Sequence, residues 1–241
     1  MSVEQMDGGD GNFCVAARGW RHPAWKESFY PEGLPVDWQL SYYSNEFRAV
    51  VVPAEEWAKA DAREVARWQK DTGKAFRFFF EVVDLRNNWM DFQAVVALLA
   101  GQIGGILLRP THCDSDLTQL ELSLQRARQL APVTVILPPG LMLSDAGQHR
   151  LLDYGVVPPW SAGQGTPCWR PGLLALARAD ATVRTPRQWR EVVEDCLSFG
   201  AGNGAILLMM EGMMAGEAPD IEALRMTMTI ADMLSVAEVL R

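Results

Sequence analysis

The feature that most limits what this chain can fold into is an alternation: short apolar runs of strand length are separated by longer segments with helical periodicity. A run such as "AVVV" is apolar on every residue, so both of its faces must be covered. That is the pattern of strands in a parallel sheet with helices packed over it. Strands are predicted over residues 12–20, 49–57, 75–85, 104–112, 133–140, 172–180 and 204–212, with Pro53 ending the second ladder because it has no N–H to donate. Helices are predicted over 38–47, 58–72, 89–103, 116–130, 185–200 and 220–240, and a short one follows Ser144 as its cap. Trp57, Val65 and Trp68 mark the buried face of the second helix, with Gly73 as its stop. Leu117, Leu120, Leu124, Ala127 and Leu130 mark that of the fourth. Between 156 and 171 only two apolar residues precede a Pro- and Gly-rich stretch, so a strand there is very short or degenerate.

Counting that weak unit, eight strands interleave with helices over 241 residues. An α/β fold of the (β/α)8 TIM-barrel type needs that number at about that length. A doubly wound open sheet is the alternative, but the chain has neither G-x-G-x-x-G after its first strand nor a P-loop. Residues 1–11 are read as a flexible N-terminus and 12–241 as one barrel domain, its sixth unit degenerate.

Thirty acidic against 22 basic residues leave a net charge of −8, so a phosphate backbone is repelled and no nucleic-acid partner is expected. No run approaches the ~20 apolar residues of a membrane span and no basic, apolar leader opens the chain, so no membrane partner and a cytoplasmic location are expected. Cys14, Cys113, Cys168 and Cys196 form no C-x-x-C pair and read as free thiols. His112-Cys113 could offer ligands to an ion, but no metal and no cofactor are expected.

The segment after the first strand carries the most particular text. A strand ending Gly19-Trp20 leads into His22-Pro23 and Trp25, then "FYPEGLP", then "LSYYSNEF" running into "AVVV". In order and spacing this resembles the start of the domain of unknown function 72 family, from Ala16 to about Val52. The resemblance implies a (β/α)8 barrel. "ILLRP" and "TPRQWREVVEDC" with Trp189 resemble later elements of that family. The chain also departs from the family's pattern at strand ends. It has Val52 to Trp57 where a Glu-x-Asn-Ser-x-Phe-Tyr type sequence is usual, an uncharged "VILPPG" after the fifth strand, Arg178 to Ala181 in place of Arg-x-His-Gly, and Met210 to Gly212 in place of Phe-Asn-Asn. Against the resemblance, these replacements imply a degenerate active site.

Barrels bind ligands at the carboxyl ends of their strands, so the polar residues there are the candidates. They are Arg18, Trp20 and His22 after the first strand, Glu55 and Glu56 after the second, and Glu81, Asp84 and Arg86 after the third. Arg109 and His112 follow the fourth, Trp160 lies in the sixth unit, Arg178 and Asp180 follow the seventh and Glu211 the eighth. Three arginines, Arg18, Arg109 and Arg178, suit an anion-binding mouth, with Trp20, His22, Glu55 and His112 beside them. They could equally be spent on Glu55, Glu81, Asp180 or Glu211. Glu81, Asp180 and Glu211 are the candidates for acid/base work, although no nucleophile elbow, H-E-x-x-H or EF-hand loop is present. In the first loop, Trp20 and Trp25 could stack on a ligand or form a self-packed plug with Phe29 and Tyr30.

Methionines cluster in "LLMMEGMM" and "LRMTMTIADML", as core filler or, where exposed, as a homodimer surface. Two functional classes stay open. One is a diverged barrel that binds a small anionic ligand or a partner at its mouth without catalysis. The other is a hydrolase- or isomerase-like enzyme acting on a carbohydrate or a phosphorylated small molecule.

Overall fold

The structure is a computed structural model. It describes residues 13–26, 28–83, 85, 88–110, 117–137, 145–154, 159–167, 169, 174–180, 182, 184–200, 205–212 and 217–239. Eight strands form one all-parallel sheet in the order β5-β4-β3-β2-β1-β8-β7-β6. They are β1 (Phe13–Arg18), β2 (Ala49–Val52), β3 (Arg77–Val82), β4 (Ile103–Leu108), β5 (Val133–Val135), β6 (Trp160–Ser161), β7 (Leu174–Ala179) and β8 (Ala205–Met210). The order is that of a (β/α)8 barrel. No ladder joins β5 to β6 among the described residues, and β5 instead comes within 8 Å of β7 past the two-residue β6.

The helices are α1 (Gln39–Glu46), α2 (Ala54–Trp57), α3 (Ala62–Asp71), α4 (Trp89–Leu98), α5 (Thr118–Arg128), α6 (Asp145–Asp153), α7 (Pro186–Gly200) and α8 (Ile221–Val239). The helix predicted over 58–72 begins later than expected. The chain makes the single turn of α2 after Pro53, and Asp61 then starts α3 by accepting a bond from the Glu64 N–H. An aspartate bonding forward in this way competes with a continuous helix and favours a new start. Trp57, Val65 and Trp68 are nevertheless buried, as are Leu117, Leu120, Leu124 and Ala127. The predicted cap Ser144, and Cys113 and Cys168, lie outside the described residues.

Alternation along the strands divides the core in two. Ala16, Val51, Phe79, Leu107, Leu176 and Leu207 point inward and fill the barrel, while Val50, Phe78, Phe80, Ile106, Ala177 and Leu208 point out against the helices. Met209 belongs to the inner set and Met210 to the outer, so both act as core filler. Between β3 and β4 the register slips at Phe78/Phe79: Phe78 faces Ile103, but Phe79 faces Gly105. The extra residue is Gly104, and a Cβ there would lie 2.5 Å from the Phe79 ring. This bulge reverses the phase of β4 and turns Gly105, Leu107 and the residue two further on, Arg109, into the barrel.

The first loop packs on itself. Trp25, Phe29, Tyr30, Tyr43 and Phe47 are all buried and meet edge-on, tilted or stacked with ring centroids 4.7 to 6.4 Å apart. Their polar atoms are matched: Trp25 Nε1 donates to the Pro219 carbonyl at 3.0 Å and the Tyr43 hydroxyl to that of Ala49 at 3.0 Å. The sixth unit is reduced but anchored, since buried Trp160 donates from Nε1 to the carbonyls of Gln164 and Gly165.

Candidate functional site

The inward positions that carry Ala16, Phe79, Leu107, Leu176 and Met209 in the core are each followed two residues later by a charge: Arg18, Glu81, Arg109, Arg178 and Glu211. A period of two therefore lifts five ionic side chains to one rim at the carboxyl ends of the strands. Main-chain bonds that continue the ladder hold this rim in place. The N–H of Gly19 donates to Val51 O at 2.8 Å, that of Arg109 to Val82 O at 2.8 Å and that of Glu211 to Ala179 O at 2.9 Å.

In strand order from β4 to β7 the rim charges alternate in sign: Arg109, Glu81, Arg18, Glu211, Arg178. Glu81 is 1% exposed and accepts three bonds, from Arg18 Nε and Arg109 Nη1 on Oε1 at 2.8 and 2.9 Å and from Arg18 Nη2 on Oε2 at 2.7 Å. Its main-chain carbonyl takes the Trp57 Nε1–H at 2.7 Å. Arg178 binds Glu211 through Nε and Nη2, both on Oε2 at 2.7 Å. The Arg18–Glu81 pair spans β2, whose next inward residue is Pro53.

Desolvation opposes the Arg18 charge, but the Glu81 hydrogen bonds and the nearby charges of Glu81, Glu55 and Glu211 outweigh it and hold the guanidinium above its ordinary range. Glu55 approaches Arg18 at 3.6 Å, but more than half of its side chain is in water, so it offsets that charge weakly. Arg109 and Arg178 keep about a third of their side-chain surface open to solvent.

The other candidates are placed elsewhere. Trp20 is 1% exposed; its ring meets Trp68 edge-on at 5.3 Å and lies under the Arg21 guanidinium, so it packs in the core and offers no face to the mouth. The expectation of Trp20 as a stacking platform is corrected on that ground. His22 is half-buried, and its Nε2–H donates to the Arg18 carbonyl at 2.9 Å. Burial lowers its pKa, and the Arg18 charge adds to this against the opposing main-chain bonds. Gly19, at φ +81°, makes the turn between them, and a Cβ there would lie 3.4 Å from His22 Nε2.

Asp180 is exposed. It accepts from the Thr182 N–H at 3.0 Å and faces Arg184 at 3.5 Å, and hydrogen bonding from the Thr182 side chain is the main cause of its lowered pKa. It shapes its own turn and does not join the rim, contrary to its expected place beside Glu81 and Glu211. Glu56 is bound to Arg21 at 2.9 Å. Asp84, Arg86 and His112 lie outside the described residues. Among the described residues no three His, Cys, Asp or Glu side chains converge as a metal-holding group.

One contributor escaped sequence reasoning. Trp57 reads as a core residue by spacing, and only its indole bond to Glu81 O shows that it also fixes the end of β3.

Residues 14–135, just over half of the chain, match the model of the family described as Protein of unknown function DUF72. No curated protein matches the chain by sequence. Among solved structures, a DUF72 family protein from Enterococcus faecalis V583 is 12% identical with a TM-score of 0.62, the alignment covering 91% of this chain and 95% of that one. Another from Thermotoga maritima MSB8 is 14% identical, also at 0.62, covering 91% and 99%. D-psicose 3-epimerase from Clostridium cellulolyticum H10 is 9% identical at 0.52, covering 93% and 98%. At such identities the likeness is one of fold.

Proposed function

The chain belongs to the DUF72 family, and from that premise we propose that it binds a small anionic ligand at the carboxyl-terminal mouth of its barrel. One observation carries the reading: a single buried carboxylate, Glu81, serves two guanidiniums, Arg18 and Arg109. Glu211 is engaged by Arg178, so the five rim groups sum to one positive charge in a setting where water is partly excluded. Such an excess favours an anion, and Arg109 and Arg178 are the guanidiniums with surface to offer it.

The test is a thermal-shift titration with inorganic phosphate, balanced by chloride to constant ionic strength. Saturable stabilisation is expected, with affinity falling by about tenfold in Arg109→Gln, the loss of one charge-assisted contact. Equal melting temperatures in phosphate and chloride would overturn the proposal, as would an Arg109→Gln response identical to wild type.

A second reading is catalysis on a carbohydrate or phosphorylated small molecule, and it draws on Glu211. Both Arg178 nitrogens meet Oε2, so Oε1 has no hydrogen-bond partner among the described residues and could accept a substrate hydroxyl or proton. Turnover of a sugar phosphate that survives Glu211→Gln unchanged would remove this reading.

A further inference from the structure

We propose a second binding site at the opposite end of the barrel, for a small monoanion with an apolar body such as a medium-chain alkyl carboxylate. Where the amino-terminal ends of β1, β2 and β3 meet α8 there is an open cleft of about 360 Å³. That volume falls in the lower part of the ~300–1,000 Å³ usual for small-molecule sites. The space exists because Ala49, Ala75 and Ala231 present single methyl groups where longer side chains would fill it, and Phe13, Val15 and Met228 complete an apolar wall.

The charged groups on this cleft are unequal. Arg48 and Asp232 form a two-pronged pair at 2.9 and 3.1 Å and neutralise each other at its edge. Arg77 is different. Its Nη1 donates to the main-chain carbonyls of Lys74 at 3.0 Å and Phe76 at 3.3 Å, and among the described residues no carboxylate pairs with it. A half-buried guanidinium held by carbonyl dipoles alone, beside an apolar wall, is complementary to a carboxylate carrying a hydrocarbon tail.

Cys14 lines the same cleft on the inward face of β1. Burial pushes its thiol up to about 11 despite the nearby Arg77 and Arg48, so at neutral pH it is a protonated, weakly polar part of the wall. Among the described residues the cleft therefore carries one unpaired cation, one neutralised pair and no anionic sulfur, a balance that selects one negative charge.

Equilibrium dialysis of the full-length protein against labelled octanoate tests this, with chloride holding the ionic strength constant. Saturable binding of one equivalent is expected, with 1-octanol a much poorer competitor. Arg77→Gln should weaken binding by about tenfold, the loss of a charge-assisted contact. Ala75→Trp, an exposed position at the rim of the cleft, should block it without touching the core. Absence of saturable binding, equal competition by 1-octanol, or affinity unchanged in both variants would each discard the site. Octanoate binding that phosphate displaces would also count against it, by assigning the ligand to the mouth.

Discussion

Arg18 and Glu81 meet in a two-pronged ion pair, Nε to Oε1 at 2.8 Å and Nη2 to Oε2 at 2.7 Å, across the strand that lies between their own. Its carboxylate partner is buried and also holds Arg109, so the pair links β1, β3 and β4 at the rim. Glu81→Gln cannot satisfy both guanidiniums. It should lower stability by about 2–4 kcal/mol, near the lower part of the usual cost of breaking a buried pair because both arginines keep some contact with water. Urea denaturation measures this, and a loss under about 0.5 kcal/mol would show the rim to be solvent-screened.

Trp57 fixes the end of β3 through its indole bond to the Glu81 carbonyl. Trp57→Phe keeps the aromatic contact with Phe92 and removes the donor, leaving a buried carbonyl unpaired. The expected cost is about 1–3 kcal/mol by denaturation. Trp57 also positions Glu81, so phosphate affinity at the mouth should fall with it, whereas a purely structural role predicts lost stability at unchanged affinity.

Gly104 and Phe79 test the bulge. Gly104→Ala places a methyl against a fully buried ring and should destabilise by about 1–3 kcal/mol. Phe79→Leu removes the obstructing edge, so the double variant should be more stable than the sum of the two single losses predicts. Simple additivity in the four-variant cycle would mean that the methyl and the ring do not compete for the same space.

His22 sets a pH dependence. Its folded pKa lies below the ordinary 6.5, chiefly through burial, so the unfolded chain binds the proton more readily. Its contribution to stability is therefore complete above about pH 6.5 and declines as the pH falls below that value. His22→Gln retains an N–H donor for the Arg18 carbonyl without the titration. Between pH 6.5 and 5 its melting temperature should fall less steeply than that of wild type; parallel curves would assign the acid branch to other groups.

Much of the architecture was legible in the residues themselves. Runs apolar on every position, such as Ala49–Val52 and the Phe78 to Phe80 stretch, suit strands covered on both faces, and seven such segments with one weak unit, separated by helical segments, give the strand count of the barrel. The shortness of the sixth unit followed from its prolines and glycines. Boundaries were less legible where a local side-chain bond competed with periodicity, as Asp61 does at the start of α3.

For the site, the sequence determined which charges stand at strand ends, because a residue's position past an apolar run is a property of the text. Which of them face inward was decided only by the tertiary structure. Arg109 reaches Glu81 because a bulge at Gly104 reverses the phase of β4, and Asp180 leaves the rim because its carboxylate binds its own turn. Trp20, next but one to Arg18, goes to the core beside Trp68. Pairing between strands distant in the chain depends on register and on which competing partner claims each side chain, and neither is local to any stretch of sequence.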